Sequence, residues 1–389
     1  MPSVLIVRGH QATPWELRPW QELPARFEVS FLLTASNRFA DPGPLEPVRA
    51  RALRDLLPSG RVGDLGAHLV GDRYLNASQA FADADIVHAE ELSYWFAAEA
   101  ARRKSSHRFA LVQTIWETLP LLATYRNRHA RRYRELTLAH TDLFLAATER
   151  AAAALRMEGV EDRRIEVCAP GVDVKRFAGS VSDGSPDAHT IVSPGRLVWE
   201  KGHHDVMRAL AALHRGFVTL PDRAIARPRL SIVGSGPEEG RLRAYAAELG
   251  IAEHVEIGSV PYEQMPAVFA RASAMVLASQ ASAGAALHPF DVPHAFWEEQ
   301  FGLVLAEAMA AGLSIVATTC GAIPEVVHGA SVDLVAGGDW LAIARALAAG
   351  PLSRAPGARV AYPAEVVQRY STAAAAERLA GAYDRLLSD

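Results

Sequence analysis

The sequence predicts an α/β protein made of two doubly wound, mostly parallel sheets, and three observations carry the prediction. Short apolar runs rich in Val, Ile and Leu alternate with amphipathic or Ala-rich stretches. The segment Ala178 to Thr190, AGSVSDGSPDAHT, is rich in Gly, Ser, Asp and Pro and reads as a linker. The strand-and-helix alternation then starts again. A chain of 389 residues has room for two such cores.

In the first half, Ser3 to Val7 is a buried-type strand, followed by the loop RGHQATPWELRPW. A loop after the first strand lies at the carboxyl edge of the sheet, where ligands bind, so Arg8, Gly9 and His10 are candidates to face one. His10 reads equally as a solvated loop histidine. Phe27 to Leu33 predicts a second strand, Pro47 to Leu57 a helix with proline in its first turn, and Ser78 to Ala84 the end of another helix. Asp85 to His88 is a short strand and Leu92 to Arg103 an amphipathic helix. Arg108 to Thr114 is a strand ending at Ile115-Trp116-Glu117. His88, Trp116 and Glu117 thus fall at strand carboxyl ends, although a lone histidine there is as readily a packed, satisfied side chain. Thr124 to Ala139 reads as a basic helix carrying Arg126, Arg128, His129, Arg131, Arg132 and Arg134. Its default reading is a solvated face, and its sharper one a surface for anionic lipid or an anionic acceptor. A strand at His140 to Ala146, a helix at Thr148 to Arg156 with Thr148 as its cap, and a strand at Ile165 to Cys168 complete this half.

In the second half, Thr190 to Ser193 is a strand leading into PGRLVWEKGHHDVM, with a helix starting near His203. Gly195, Arg196, Lys201 and Gly202 lie in the intervening turn, where glycine lets the backbone approach a ligand and two cations can clamp a diphosphate. Arg229 to Val233 is a strand ending in Gly234-Ser235-Gly236-Pro237. Glu239 stands where the dinucleotide fingerprint needs its third glycine, which argues against nicotinamide or flavin chemistry. A helix at Glu239 to Leu249, strands at Val255 to Ile257 and Ala274 to Ala278, and a helix at Tyr262 to Ala270 follow. His288, Asp291 and His294, in the loop Ser279 to Phe296, have the residue types of metal ligands. Their spacing and two prolines argue against presentation on one helix face, so no metal is expected.

Trp297 to Glu325 organises the second half. Phe301-Gly302 opens a helix that runs to Gly312, Leu313 to Ala317 is a doubly covered strand, and Pro324 sits in the first turn of another helix. Glu299 precedes the first helix and Glu307 lies inside it. Unpaired N–H groups from Phe301 to Leu303 can hold an anion, and two carboxylates can accept hydrogen bonds from hydroxyls, a combination suited to a phosphorylated sugar. On residue types alone, Glu299 reads equally as a helix cap and Glu307 as a solvated carboxylate. The tail from Ala364 to Leu387 predicts one or two helices.

Composition narrows the function classes. A net charge of −4 gives no reason to expect a nucleic-acid partner. Two cysteines, Cys168 and Cys320, make no disulfide scaffold and lack metal-site spacing, which fits a reducing cytoplasm. MPSVLIV is too short for a signal-peptide core, and no apolar run reaches bilayer-spanning length.

Five blocks, CAPGVDVKRF at 168–177, SPGRLVWEKG at 193–202, IVGSGPE at 232–238, EEQFGLVLAEAMAAG at 298–312 and TTCGAIPEVV at 318–327, together resemble the retaining nucleotide-sugar glycosyltransferases of the family 4 type. The resemblance is dense over about 165–330 and weaker, but consistent, before that. It implies a GT-B fold, with two Rossmann-like domains facing each other across a cleft. Residues 1–178 would bind the acceptor and 179–365 the donor, and 366–389 would form a helix crossing back onto the first domain. It implies that Arg196 and Lys201 bind the donor diphosphate and that Glu299 contacts the donor sugar at the reacting centre. Glu307 would accept hydrogen bonds from the ribose, and the backbone of Phe301, Gly302 and Leu303 would hold the sugar or phosphate. Gly234 to Pro237, with Gly236, and Gly258 to Pro261 would border the base. It implies transfer of a hexose, most commonly from a UDP-sugar, with retention and without metal or cofactor. The acceptor would be a glycan, a lipid-linked glycan or a small molecule. The protein would be cytoplasmic, with peripheral contact at the anionic inner membrane face. Two departures mark the acceptor side. The loop after the first strand has only Gly9 where members often carry two glycines. Trp116-Glu117 stand where many members have a histidine, so that Glu117 or His88 would supply that group. A non-catalytic nucleotide-sugar-binding protein and a nucleotide-sugar epimerase are the alternatives.

Overall fold

A computed structural model describes residues 1–10, 12–37, 47–57, 63, 66, 71–122, 128–179, 188–220, 227–281 and 297–388. The chain forms two compact units, Met1–Val172 with Tyr370–Asp389, and Asp173–Arg369. Among the described residues the first unit holds seven strands: β1 (Ser3–Val7), β2 (Glu28–Thr34), β3 (Val48–Ala50), β4 (Ile86–Glu90), β5 (Ala110–Ile115), β6 (Leu143–Ala146) and β7 (Ile165–Val167). Their order is β3-β2-β1-β4-β5-β6-β7, and every pair is parallel. Side chains alternate across each strand. Val4 and Ile6 therefore share one core with Phe31, Ile86, Val112 and Tyr383. Leu5 and Val7 share the other with Leu32, Val87, Phe81 and Phe96. The helix Thr372–Ser388 covers the first of these faces through Leu379 and Tyr383, whose side chains are buried.

The stretch Pro47 to Leu57 departs from the expected helix. Val48–Ala50 pairs with β2 in the register Leu32↔Val48 to Thr34↔Ala50, and Leu53–Leu56 makes a single 3₁₀ turn. Edge pairing to an existing strand outweighs the helical pattern of so short a segment, whose local propensity amounts to a few tenths of a kcal/mol per residue. The other expected elements of this unit appear with shifted ends. The helix after β4 runs Trp95–Arg103, and Thr148 caps the helix Glu149–Met157 by accepting from the Ala151 N–H at 3.1 Å. The described part of the basic helix is Arg128–His140, and β6 follows only from Leu143.

The second unit holds six described strands: β8 (Thr190–Pro194), β9 (Arg229–Val233), β10 (Val255–Gly258), β11 (Ala274–Leu277), β12 (Ser314–Thr318) and β13 (Asp333–Val335). Their order is β10-β9-β8-β11-β12-β13, again parallel throughout. Ile191, Ile232, Val276 and Val316 pack with Val206 and Leu210 of the helix His203–His214 and with Ile343 and Leu347 of the helix Trp340–Ala349. The boundary between units lies ahead of the Gly/Ser-rich stretch because the short helix Val174–Phe177 belongs to this unit. Phe177 is fully buried against Phe269 and Tyr262. The expected tail resolves into two helices, Ala364–Gln368 in this unit and Thr372–Ser388 in the other.

Each sheet reverses its winding once, at β1/β4 and at β8/β11. In open parallel sheets, loops leaving the two strands at such a reversal diverge and leave a crevice at their carboxyl ends. Arg8 to His10 and Glu91 leave the first switch point, and Gly195 to Lys201 and Ser279 leave the second.

Candidate functional site

In the second unit the switch point gathers Lys201, Ser279 and Glu299. Lys201 Nζ donates to Glu299 Oε2 at 2.6 Å, and the Ser279 hydroxyl donates to the same oxygen at 2.6 Å. Ser279 is held in turn, its carbonyl accepting from Thr318 Oγ1 at 2.5 Å. The Lys201 ammonium also lies 4.8 Å from the centre of the Trp297 ring. Glu299 is buried, and its backbone bonds to Cys320 Sγ and to the Ala322 N–H at 3.5 and 2.8 Å. Glu299 is therefore not a helix cap. It is a carboxylate fixed by a cation, a hydroxyl and a turn from another strand.

The turn that carries Lys201 depends on close backbone approach. Gly202 ends the 3₁₀ turn Trp199–Lys201 and opens the helix His203–His214 at φ 66°, and a Cβ there would lie 1.9 Å from the Ala278 carbonyl oxygen. Gly234 packs on Gly195 just as tightly, with 1.9 Å from a built Cβ to the Gly195 carbonyl oxygen. Gly195, Gly234 and Gly258 thereby lie along one edge, joined by hydrogen bonds from Gly195 N–H to Val233 and from Gly234 N–H to Gly258. Gly236 sits against Leu197, and Pro261 is exposed before the turn Tyr262–Gln264. Arg196 extends outward, its side chain 66% exposed and 3.9 Å from Glu200. Below it, His203 spans Ser193 Oγ at 2.9 Å and the Arg196 carbonyl at 3.1 Å. Burial holds that imidazole neutral, its pKa pulled down to about 4.

Phe301 is buried, and Gly302 (φ 78°) caps the helix Leu303–Ala310. Glu307 is not a solvated carboxylate. It is 6% exposed and accepts a hydrogen bond from the Tyr262 hydroxyl at 2.7 Å. Burial pushes its pKa up to about 7, opposed by the Tyr262 bond and the nearby Arg176 charge. Arg176 lies 5.7 Å from the Tyr262 ring centre. Tyr262, Arg176, Ser279 and Cys320 are members of the site that the sequence reading did not single out. Ser279 had a usable signal, as a polar residue at a strand's carboxyl end. Arg176 lay inside the CAPGVDVKRF block without a role.

The first unit disposes its candidates differently. Arg8 is buried, with Nε 3.4 Å from Glu90 and its guanidinium 5.1 Å from the Trp20 ring centre. Gly9 packs on Phe96. His10 is tied to Ser36 Oγ at 3.1 Å and Asp72 at 2.9 Å. His88 is fully buried. Trp20 Nε1–H donates to the Tyr383 oxygen at 2.8 Å, the Tyr383 hydroxyl meets His88 Nδ1 at 2.6 Å, and His88 Nε2 meets Thr114 Oγ1 at 2.7 Å. Burial and the Arg8 charge hold its pKa well below the ordinary value. Trp116 and Glu117 are partly exposed, and Glu91 Oε1 accepts both of their backbone N–H groups at 2.9 and 3.1 Å. Glu117 Oε1 accepts from the N–H groups of Thr118 and Leu119, both at 3.0 Å. Glu91, a non-glycine at φ 64°, is thus the peg of this turn, and burial and the Glu117 charge push its pKa up to about 8. His288, Asp291 and His294 lie outside the described residues. Among the described residues no group of three His, Cys, Asp or Glu is placed to hold a metal ion, and no helix is long and apolar enough to cross a membrane.

Residues 181–349 match the family model described as glycosyl transferases group 1, and residues 21–176 match glycosyltransferase family 4. The chain belongs to the GT-B glycosyltransferases. Among curated relatives of this glycosyltransferase-family chain is the GDP-mannose-dependent alpha-(1-6)-phosphatidylinositol monomannoside mannosyltransferase of Mycolicibacterium smegmatis. It is 36% identical over 205 residues, 48% of this chain and 49% of the relative. The chain thus spans about half the length of such relatives in the matched stretch. A D-inositol 3-phosphate glycosyltransferase of Corynebacterium urealyticum is 27% identical over 336 residues, 78% of this chain and 72% of the relative. Two solved structures share the fold at 17% identity. One is Anabaena HepE in complex with UDP (TM-score 0.68; 99% of this chain and 100% of that one). The other is sucrose-phosphate synthase of Thermosynechococcus elongatus (TM-score 0.71; 100% of each).

Proposed function

We propose that this protein is a retaining glycosyltransferase that moves a hexose from a nucleoside diphosphate sugar to an acceptor hydroxyl. The observation that carries this reading is the Lys201–Glu299–Ser279 cluster at a sheet switch point, with the Glu307–Tyr262 pair on the adjoining helix. Arg196 is extended and Lys201 needs only to leave Glu299 to meet an incoming diphosphate. As the nucleotide departs, negative charge grows on phosphate oxygens. Two cations and the helix start at Gly302 are suited to stabilise it without a divalent ion. Glu299, released from Lys201, is then free to accept sugar hydroxyls. Glu307 accepts from the ribose, exchanging its Tyr262 bond or adding to it. The acceptor hydroxyl attacks the anomeric carbon on the face the nucleotide leaves, and its proton passes to the departing diphosphate oxygen.

The names of the relatives move the proposed donor from the UDP-sugar of the motif resemblance to GDP-mannose, and favour a phosphatidylinositol-linked mannoside as acceptor. The exposed Arg128, Arg131 and Arg132 of the basic helix support attraction to an anionic lipid surface. On the acceptor side we assign the contact to the Trp116–Glu117 turn, because both His88 ring nitrogens are engaged within the core.

The test is transfer from GDP-mannose and from a UDP-sugar panel to acceptors presented in anionic vesicles. Lys201→Ala and Glu307→Ala should each cost roughly 10²–10³ in rate, the scale of losing one preorganised charge-stabilising group. Unchanged turnover in both variants would remove the site. Tight donor binding with neither transfer nor hydrolysis across acceptors would replace the enzyme with a sugar-nucleotide-binding protein.

A further inference from the structure

The unit Asp173–Arg369 contains a cavity of about 370 Å³ between the first turns of the helix His203–His214 and the helix Glu239–Glu248. Lys201, Glu299 and Glu307 are not among its lining residues. One wall is the stacked pair Trp199 and His204, with ring centres 4.0 Å apart and planes 14° from parallel. Tyr245 and the charged groups of Arg208, Glu238, Arg241 and Glu248 line it elsewhere.

Three features define what would fit. Trp199 Nε1–H is buried and meets no acceptor among the described residues, an arrangement that costs about 1–3 kcal/mol and that a ligand acceptor relieves only where the indole turns toward the cavity. Gln280 donates to His204 Nε2 at 3.1 Å and to the Asp205 carboxylate, which leaves the His204 proton on Nδ1 as a second donor. The cations are already matched. Arg208 is paired with Asp205 at 2.7 Å and Arg241 with Glu238 at 3.0 Å, and Glu248 adds a further carboxylate to the lining, so the site offers guanidinium donors and carboxylate acceptors but no net positive field for a phosphate. Flat walls, guanidinium donors beside an excess of carboxylate acceptors, and a volume at the small end of ligand pockets describe a planar heterocycle without a phosphate.

We propose that this cavity is a second ligand site that takes a nucleobase-type heterocycle, free or as a nucleoside. It is separate from the nucleotide-sugar site. Its walls run directly into that site, since Trp199 begins the turn that ends at Lys201, and Gln280 follows Ser279.

Calorimetric titration of the full chain with adenosine, guanosine, uridine and cytidine tests this. At least one nucleoside should bind wild type. Ala244→Trp fills the cavity from an exposed position, and Tyr245→Ala removes a wall; each should weaken that binding by at least about tenfold, or 1.4 kcal/mol. Glu307→Ala should remove only the component of nucleoside binding contributed by the nucleotide-sugar site and leave the cavity's component in place. Melting curves establish that the variants fold, and either cavity variant alone suffices if the other does not. Two results overturn the proposal: no nucleoside binding at millimolar concentration, or binding that is lost in Glu307→Ala and retained in the cavity variants. The readout is binding, so an inactive protein that binds a nucleoside here refutes the glycosyltransferase reading and leaves this one standing.

Discussion

At the scale of single residues, two buried carboxylates are held away from their ordinary chemistry by desolvation. Glu91 and Glu307 have pKa values near 8 and 7. Both are raised above the value of an exposed carboxyl, so the native state binds more protons than the unfolded chain from about pH 4.5 up to each folded value. Stability contributed by their neutral forms is therefore present at low pH and lost as pH rises through that window. For Glu91 the loss is on the order of a few kcal/mol. Glu91→Gln keeps an oxygen able to accept the Trp116 and Glu117 N–H groups and removes the titration. The expected outcome is a flatter dependence of the urea midpoint on pH between 5 and 8 than in wild type. A variant whose midpoint falls as steeply as wild type would show that Glu91 does not carry the effect. For Glu307 the same physics sets its protonation near neutral pH, where the Tyr262 bond and the Arg176 charge favour the ionised, acceptor form.

At the scale of elements, the candidate site is made by turns more than by helices and strands. The Lys201 turn exists only because Gly202 adopts φ 66° with its α-carbon pressed on the Ala278 carbonyl. The Glu299 turn relies likewise on Gly321, where a Cβ would stand 2.1 Å from the Glu299 carbonyl oxygen. Gly202→Ala must either displace backbone or accept a left-handed alanine, and either response moves Lys201. We expect a loss of at least about 1–3 kcal/mol in stability, read from denaturant unfolding, together with weakened donor binding. An unperturbed melting curve would mean that the Ala278 strand end yields easily. Helix caps provide a contrast of ordinary size. Thr148→Ala should cost about 1 kcal/mol and leave donor binding untouched.

At the scale of the whole molecule, each unit has its own doubly covered sheet, and the last helix belongs to the first unit. Tyr383 joins them chemically within that unit. It accepts from Trp20 and meets His88, which reaches Thr114 on β5. Tyr383→Phe leaves the Trp20 N–H and a His88 nitrogen buried without partners, at roughly 1–3 kcal/mol each. Hydrogen exchange should quicken at β1, β4 and β5 while β8, β11 and β12 keep their protection. Equal loss in both units would show that the two sheets unfold as one body. His88→Gln belongs to the same test, since a role in the core predicts a stability defect where a role at the substrate predicts a rate defect.

Much was legible in the sequence because it rests on local patterns. Near-continuous apolar runs identify buried parallel strands, as at Leu313 to Ala317, because a strand covered on both faces has no polar side to show. Blocks such as EEQFGLVLAEAMAAG identify the family because helix, turn and carboxylates are contiguous in the chain. Other features were decided only by tertiary structure. Val48–Ala50 is a strand because β2 offers it an edge, which no helical pattern in the segment reveals. Glu299 is joined to Lys201 and Ser279, 98 and 20 residues away, because β8 and β11 lie at the reversal of the sheet. Residue types and spacing determined which groups can do chemistry in this protein. Burial and the order of the strands decided which of them meet, because desolvation and proximity depend on the folded chain and not on position along it.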